Sequence, residues 1–344
     1  MSYRDDIKMV ASLHLPWKKL SGCNILVTGA TGLIGSCLIE VLMEHPNKDY
    51  HVYASGRNES RAMQRFSKYR EDPFFHFFRY DVTEPLKGEE RFHYIIHAAS
   101  NASPNFFANM PVEVIKANID GVANLIEYGM THGLQRLLYV SSGEVYGEGD
   151  GRIFTEDYSG YVNCASVRAC YPSSKRAAET LCVAYAYQHG VDVSIARLSH
   201  VFGPNFTEDD NRVYAQFIRN VLRGEDIVMK STGEQFRSWC YVVDCVSAIL
   251  HILLKGEKGQ AYNVADNESN ISIKELAEII AEVGHQKVVI DLPTETEKLG
   301  FNVVKKSIFS TQKLESLGWH TTEGNIKNNL KKTIDELSTR NKNE

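Results

Sequence analysis

The sequence is poor in the features that mark several protein classes. Its seven cysteines form no CxxC pair and no regular spacing, so a disulfide framework is not expected and reduced thiols in a cytoplasmic protein are. No histidine–cysteine grouping has ligand spacing, so no metal is expected. No apolar run approaches the length of a bilayer span, and MSYRDDIKMV lacks a signal-peptide core, so no membrane role is expected. Positive charge is not in excess: 38 Lys and Arg against 43 Asp and Glu leave a net −5. That balance argues against a nucleic-acid surface, and an anionic ligand would have to be met by local arginines. Repeats and low-complexity stretches are absent. What remains is 344 residues, 43% hydrophobic and 24% charged, an ordinary globular composition with chain enough for two lobes.

Asn24 to Gly35 reads NILVTGATGLIG. Ile25, Leu26 and Val27 form the short apolar run of a buried parallel strand, and Leu33 to Leu42 then takes helical periodicity. Between them Gly29, Gly32 and Gly35 recur at three-residue spacing. A strand, a glycine turn and a helix N-terminus make an anion site, because bare backbone lets a pyrophosphate approach free N–H groups and the positive end of the helix dipole. A dinucleotide is therefore expected on Gly29, Thr31, Gly32, Leu33, Ile34 and Gly35, although a glycine turn also serves backbone needs alone. The second strand, near His51–Ser55, exits through Ser55-Gly56-Arg57-Asn58. No carboxylate stands there to bind the ribose hydroxyls of NAD. Arg57 could accept the 2′-phosphate of NADP, which tips the expectation slightly from NAD toward NADP, or it is a solvated loop charge.

Further strands are expected over Phe74–Arg79, Tyr94–Ala99, Leu137–Ser141 and Val191–Leu198, with a helix over Val112–His132 carrying Asn118. Asp81 and Val82 stand where an adenine edge would lie, and Ala98, Ala99 and Ser100 are small enough for a cofactor to approach closely. The alternation argues for a doubly wound α/β parallel sheet of Rossmann type. Ahead of it, Ile7, Val10, Leu13 and Leu15 fit one face of a short helix ending near Pro16.

The chemistry-bearing residues follow the fifth strand, in SSGEVYG (141–147) and then YPSSK (171–175). Proline sits in the first helical turn without penalty, and the i, i+4 spacing puts Tyr171 and Lys175 on one helix face. A phenol is a weak base at neutral pH, and a neighbouring ammonium favours its phenolate. Ser142 can hydrogen-bond the reacting oxygen.

GATGLIG, Asp81-Val82, HAAS, SSGEVYG, YPSSK and RLSHVFGP together resemble an extended short-chain dehydrogenase of the nucleotide-sugar epimerase/dehydratase family. Arg168-Ala169-Cys170-Tyr171 through Glu179 most resembles the UDP-glucuronate decarboxylases within it. The resemblance implies Ser142, Tyr171 (the base), Lys175 and Glu144 as the catalytic set, and a tightly held NAD or NADP touching Tyr171 and Lys175. It also implies a nucleotide-sugar substrate, a homodimer, and a smaller α/β substrate lobe at the carboxyl side. The expected division is an accessory segment 1–21, a dinucleotide domain 22–199 rejoined by about 238–266, and a substrate lobe of 200–237 and 267–344. In that lobe Arg212 and Arg237 match arginines facing the nucleotide diphosphate.

Two departures stand out. His200 replaces a common asparagine at a substrate-touching position, and is otherwise a buried, hydrogen-bonded histidine. Lysines at 305 and 306 replace an arginine of the decarboxylases. Relatives that dehydrate carry Asp-Glu after the Ser/Thr position, and here Gly143-Glu144 stands instead. The expected order is decarboxylation of a glucuronosyl nucleotide, then C4 epimerisation, then 4,6-dehydration. An NADPH-consuming keto-sugar reductase or a dinucleotide-sensing protein on the same fold are the other classes.

Overall fold

The computed structural model describes residues 1–208, 210–292, 306–322 and 325–341. Its strands are β1 (Asn24–Thr28), β2 (His51–Gly56), β3 (Phe75–Arg79), β4 (Tyr94–His97), β5 (Arg136–Ser142), β6 (Val193–Leu198), β7 (His200–Phe202), β8 (Ile227–Met229), β9 (Phe236–Tyr241), β10 (Ala261–Val264), β11 (Asn270–Ser272), β12 (Val288–Ile290) and β13 (Lys306–Ser307). Its helices are α1 (Tyr3–Ala11), α2 (Leu33–Glu44), α3 (Glu59–Arg65), α4 (Pro104–Asn109), α5 (Pro111–Thr131), α6 (Cys170–His189), α7 (Val213–Leu222), α8 (Val242–Lys255), α9 (Ile273–Val283), α10 (Gln312–Glu315) and α11 (Ile326–Asn341).

Seven parallel strands form the main sheet in the order β10-β6-β5-β4-β1-β2-β3. Ile25, Leu26 and Val27 in its middle are fully buried, as a strand covered by helices on both faces must be. The order reverses between β1 and β4, so the crevice beyond their carboxyl ends is the place for a ligand. A smaller sheet, β11-β9-β13 with β7 beside β9, takes the chain beyond β6.

Strand and helix ends differ from expectation by a few residues, because fraying and capping are not visible in periodicity. The largest difference is at the N-terminus. A Ser2–Asp5 capping box starts α1 and the helix ends at Ala11, leaving Leu13 and Leu15 outside it. Ser12 Oγ bonds back to the Lys8 carbonyl at 2.8 Å, and Leu15 precedes a proline, which disfavours helical backbone. Among the described residues no helix is long and apolar enough to cross a membrane, and no group of His, Cys, Asp and Glu could hold a metal.

Candidate active site

The glycine turn follows β1. Gly29 has φ +69°, and a Cβ there would lie 2.7 Å from the Ala98 carbonyl oxygen, so a side chain is excluded both by backbone conformation and by the end of β4. A Cβ on Gly35 would lie 2.3 Å from the Gly29 oxygen, which draws α2 tight against the turn. Gly32 is the N-cap of α2, and neither a capping side chain nor an acidic residue occupies that first turn. Free N–H groups, a helix dipole and no competing carboxylate fit a pyrophosphate. Thr31, Leu33 and Ile34 belong to this same turn.

Arg57 stands at the β2 exit, 70% exposed and 3.8 Å from the Asp81 carboxylate. Asp81 also accepts from the Thr83 hydroxyl at 2.8 Å, while Val82 is buried and takes the Asn124 amide on its carbonyl. At the end of β4, Ala98, Ala99 and Ser100 are half-buried. Ser100 donates to Asn118 Oδ1 at 2.9 Å, and Asn118 donates to Ser174 Oγ at 2.9 Å. This chain of hydrogen bonds ties β4 to the first turn of α6.

That turn carries the expected reacting groups. Tyr171 and Lys175 are both buried. The Lys175 ammonium donates to the Val140 carbonyl at 2.9 Å and lies 5.7 Å from the Tyr171 ring centre. Burial drives its pKa down to about 7, opposed by Glu179. Burial drives the Tyr171 phenol up to about 12, with the Glu144 carboxylate adding to the rise. A hydrogen bond from Ser142, then Arg212 and Arg168, pull the other way. The neighbouring ammonium expected to acidify the phenol is thus turned toward a backbone carbonyl, and the relief comes from Ser142 and two arginines. His97, behind Thr28, is pushed down to about 3 by burial and then by Lys175, so it is neutral and contributes no charge.

Glu144 is gripped by Arg168, whose Nη2 lies 2.7 and 2.8 Å from the two carboxylate oxygens. Gly143, beside it, has no positive φ, so its backbone does not call for glycine. Space does: a Cβ would lie 2.2 Å from Phe309 Cζ.

The three expected substrate-lobe residues converge. His200 opens to solvent although protein surrounds it; that crowding, then the charges of Arg237 and Arg212, push it down to about 3. It is a neutral group, tilted against Trp239 at 5.3 Å. Arg212 spends one edge on Asp210, with Nε 2.9 Å from Oδ1, and touches the Tyr214 hydroxyl at 3.0 Å. Arg237 is buried, donates to the Phe236 carbonyl at 2.8 Å and senses Glu144. Lys306 lies in β13, and Lys305 falls outside the described residues.

Sequence reasoning assigned no role to two residues that shape the site, Glu179 and Phe309. Glu179, one helical turn beyond Lys175, accepts from Ser141 at 2.5 Å and from the Arg197 guanidinium at 2.7 Å. The i, i+4 spacing from Lys175 was the available signal for Glu179. Nothing local pointed to Phe309.

The NAD dependent epimerase/dehydratase family matches residues 25–265. UDP-glucuronic acid decarboxylase 6 of Arabidopsis thaliana is 38% identical over 276 residues, 80% of this chain and 78% of that protein. UDP-glucuronic acid decarboxylase 5 of the same plant is 36% identical, over 87% and 85%. Among solved structures, the UDP-glucose 4-epimerase of Thermotoga maritima superposes with a TM-score of 0.78 at 24% identity, covering 93% of this chain and 100% of that one. A dTDP-glucose 4,6-dehydratase of Streptomyces venezuelae, solved with NAD, gives 0.80 at 22%, over 93% and 98%. These last two share the fold.

Proposed function

We propose that this chain, an enzyme which belongs to the NAD dependent epimerase/dehydratase family, decarboxylates UDP-glucuronate to a UDP-pentose through a transient 4-keto sugar. The observation that separates this reading from dehydration is at Gly143. An acid at that position would protonate a leaving C6 hydroxyl, and Phe309 fills the space its Cβ would need. Dehydration is thereby disfavoured, while decarboxylation needs no such acid. Relatives of 34–38% identity named UDP-glucuronic acid decarboxylases support the choice.

The glycine turn, Asn118 and Lys175 would hold the dinucleotide. Bound there, an oxidised nicotinamide supplies a hydride acceptor and a positive charge. Ser142 and Tyr171, hydrogen-bonded to each other, take the substrate's O4 between them. Tyr171 accepts the O4 proton as the C4 hydride departs, leaving a ketone β to the C6 carboxylate. The C5–C6 bond then breaks, carbon dioxide leaves, and the electron pair becomes an enolate whose O4 is held by Ser142 and the protonated Tyr171. C5 takes up one proton from water. Hydride return to C4 and proton return from Tyr171 to O4 give the pentose. Arg212, Arg237 and neutral His200 form the diphosphate side of the cleft, where guanidinium forks suit phosphate oxygens.

Arg57 carries the finer cofactor reading, a modest preference for NADP, tempered by the Asp81 carboxylate beside it. A homodimer is inferred from exposed Val112, Ile115 and Met130 on α5 with Val183 and Tyr187 on α6, apolar surface on two neighbouring helices; sedimentation of the pure protein tests it. Seven free cysteines support a reducing, cytoplasmic setting. The test of function is to supply UDP-glucuronate without added cofactor and to read products by mass. A UDP-pentose and carbon dioxide are expected. Uronate returned unchanged while another hexose nucleotide is inverted at C4 would make the chain a 4-epimerase, the second reading, which the closed Gly143 position suits equally.

A further inference from the structure

The Glu144–Arg168 pair lies beside the reacting phenol and leaves most of the guanidinium's donors uncommitted. Only Nη2 serves Glu144, at 2.7 and 2.8 Å. Nε and Nη1 meet no protein acceptor among the described residues, and the side chain is 48% exposed. The group is also held in place. Its guanidinium lies 4.6 Å above the Phe107 ring, and Phe107 in turn stacks on Tyr171 at 4.7 Å with the planes 29° apart. A flat guanidinium on a buried ring, one stacking step from the catalytic phenol, is a rigid fork with three spare N–H donors.

We infer that Arg168 is the specificity-determining residue for the substrate's C6 carboxylate, which it takes on Nε and Nη1 while Nη2 stays on Glu144. This rests on the uronate reading given above. C6 is two carbons from C4, the carbon whose oxygen Tyr171 and Ser142 address, so a carboxylate recognised beside the phenol is the one the chemistry removes. Planar pairing suits arginine and not lysine. A hexose with a neutral C6 hydroxymethyl group offers nothing to match the charge, so the gain is confined to uronates. Lys306, on β13, forms no hydrogen bond or ion pair with Glu144 or Tyr171 and is the competing candidate that the experiment separates.

The experiment is calorimetric binding of UDP-glucuronate and UDP-glucose to the cofactor-loaded protein and to Arg168→Gln, Arg168→Lys and Lys306→Gln. The parent should bind the uronate about 10- to 100-fold more tightly than the glucose, the range for a charge-assisted pair. Arg168→Gln should erase that gap and leave UDP-glucose affinity within twofold, a pattern that general damage to the site would not give. Arg168→Lys should recover part of the gap, and Lys306→Gln should leave it intact. A gap that survives in Arg168→Gln, or that is absent from the parent, overturns the inference. An Arg168-dependent gap in a parent that releases no carbon dioxide from the uronate would uphold the carboxylate site and sink the decarboxylase reading instead.

Discussion

Substituting Gly143 by alanine tests the contact on which the choice of reaction rests. Gly143 has no positive φ, so on backbone grounds alone alanine should stabilise by about 0.4–1 kcal/mol through the unfolded chain. The structure reverses that sign. The new methyl would meet Phe309 at Cζ 2.2 Å, Cε1 2.8 Å and Cε2 3.1 Å, an approach along the ring edge that no small shift relieves. Phe309 is itself buried and packed with Val145, Tyr146, Phe154 and Ala265, so it has little room to retreat. Overpacking of this kind costs about 1–3 kcal/mol, which leaves a net loss of roughly 1–2 kcal/mol after the entropic gain. Urea unfolding followed by tryptophan fluorescence reads the loss as a lower midpoint with unchanged slope. Phe309→Leu shortens the ring and should couple with Gly143→Ala by about 1 kcal/mol in the favourable direction. A neutral or stabilising Gly143→Ala, or strict additivity with Phe309→Leu, refutes the blocked position.

Tyr171→Phe should lower turnover by roughly 10²–10⁴ while cofactor affinity stays within threefold, and activity retained within tenfold would remove Tyr171 as the base. Arg57→Ala should erase a modest preference for NADP, measured by titrating the apoprotein with both dinucleotides; tighter binding of NAD by the parent would make Arg57 a loop charge. Lys175, at about 7 when folded and about 10.4 unfolded, binds fewer protons in the native state between those values, so its contribution to stability rises with pH there. From pH 7 to 8.5 the parent should gain roughly 1–2 kcal/mol relative to Lys175→Met, and parallel pH curves for the two proteins would show that Lys175 is not so perturbed.

The parts of the site that sequence made legible are those whose logic is local. The strand–glycine–helix turn repeats a three-residue spacing, and Tyr171 with Lys175 repeats a helical one, so both could be read without knowing what packs on them. Asn118 was placed on its helix, but its bond to Ser174 joins two helices and spacing is silent about that. The Gly143–Phe309 contact is the extreme case. SSGEVYG reads as a loop whose glycine might serve the turn, and only a ring arriving from the segment after β13 shows that glycine is there for room. The pKa logic was half legible. A phenol beside an ammonium suggested an acidified tyrosine, whereas burial, which no motif encodes, dominates both groups and sends them in opposite directions.

That opposition constrains how the site works. A phenol at about 12 is five units from neutrality, and ionising it there costs about 7 kcal/mol. Glu144 makes this worse, being the second cause of the rise. Arg168 resolves the conflict by cancelling that charge at 2.7 Å, and it also acts on the phenol directly in the acidifying sense. On the function proposed above, the remaining deficit would be met by positive charge that arrives with the cofactor, since the groups that lower the phenol are Ser142, Arg212 and Arg168. On that function, Tyr171 would be a base only while that positive charge is present. Without it, a phenol raised by burial to about 12 would hold its proton firmly. On that reading it would act as a hydrogen-bond donor to O4 during the loss of carbon dioxide. A raised phenol pKa, unhelpful for the proposed first step taken alone, would suit the second, where a donor that keeps its proton would stabilise the enolate.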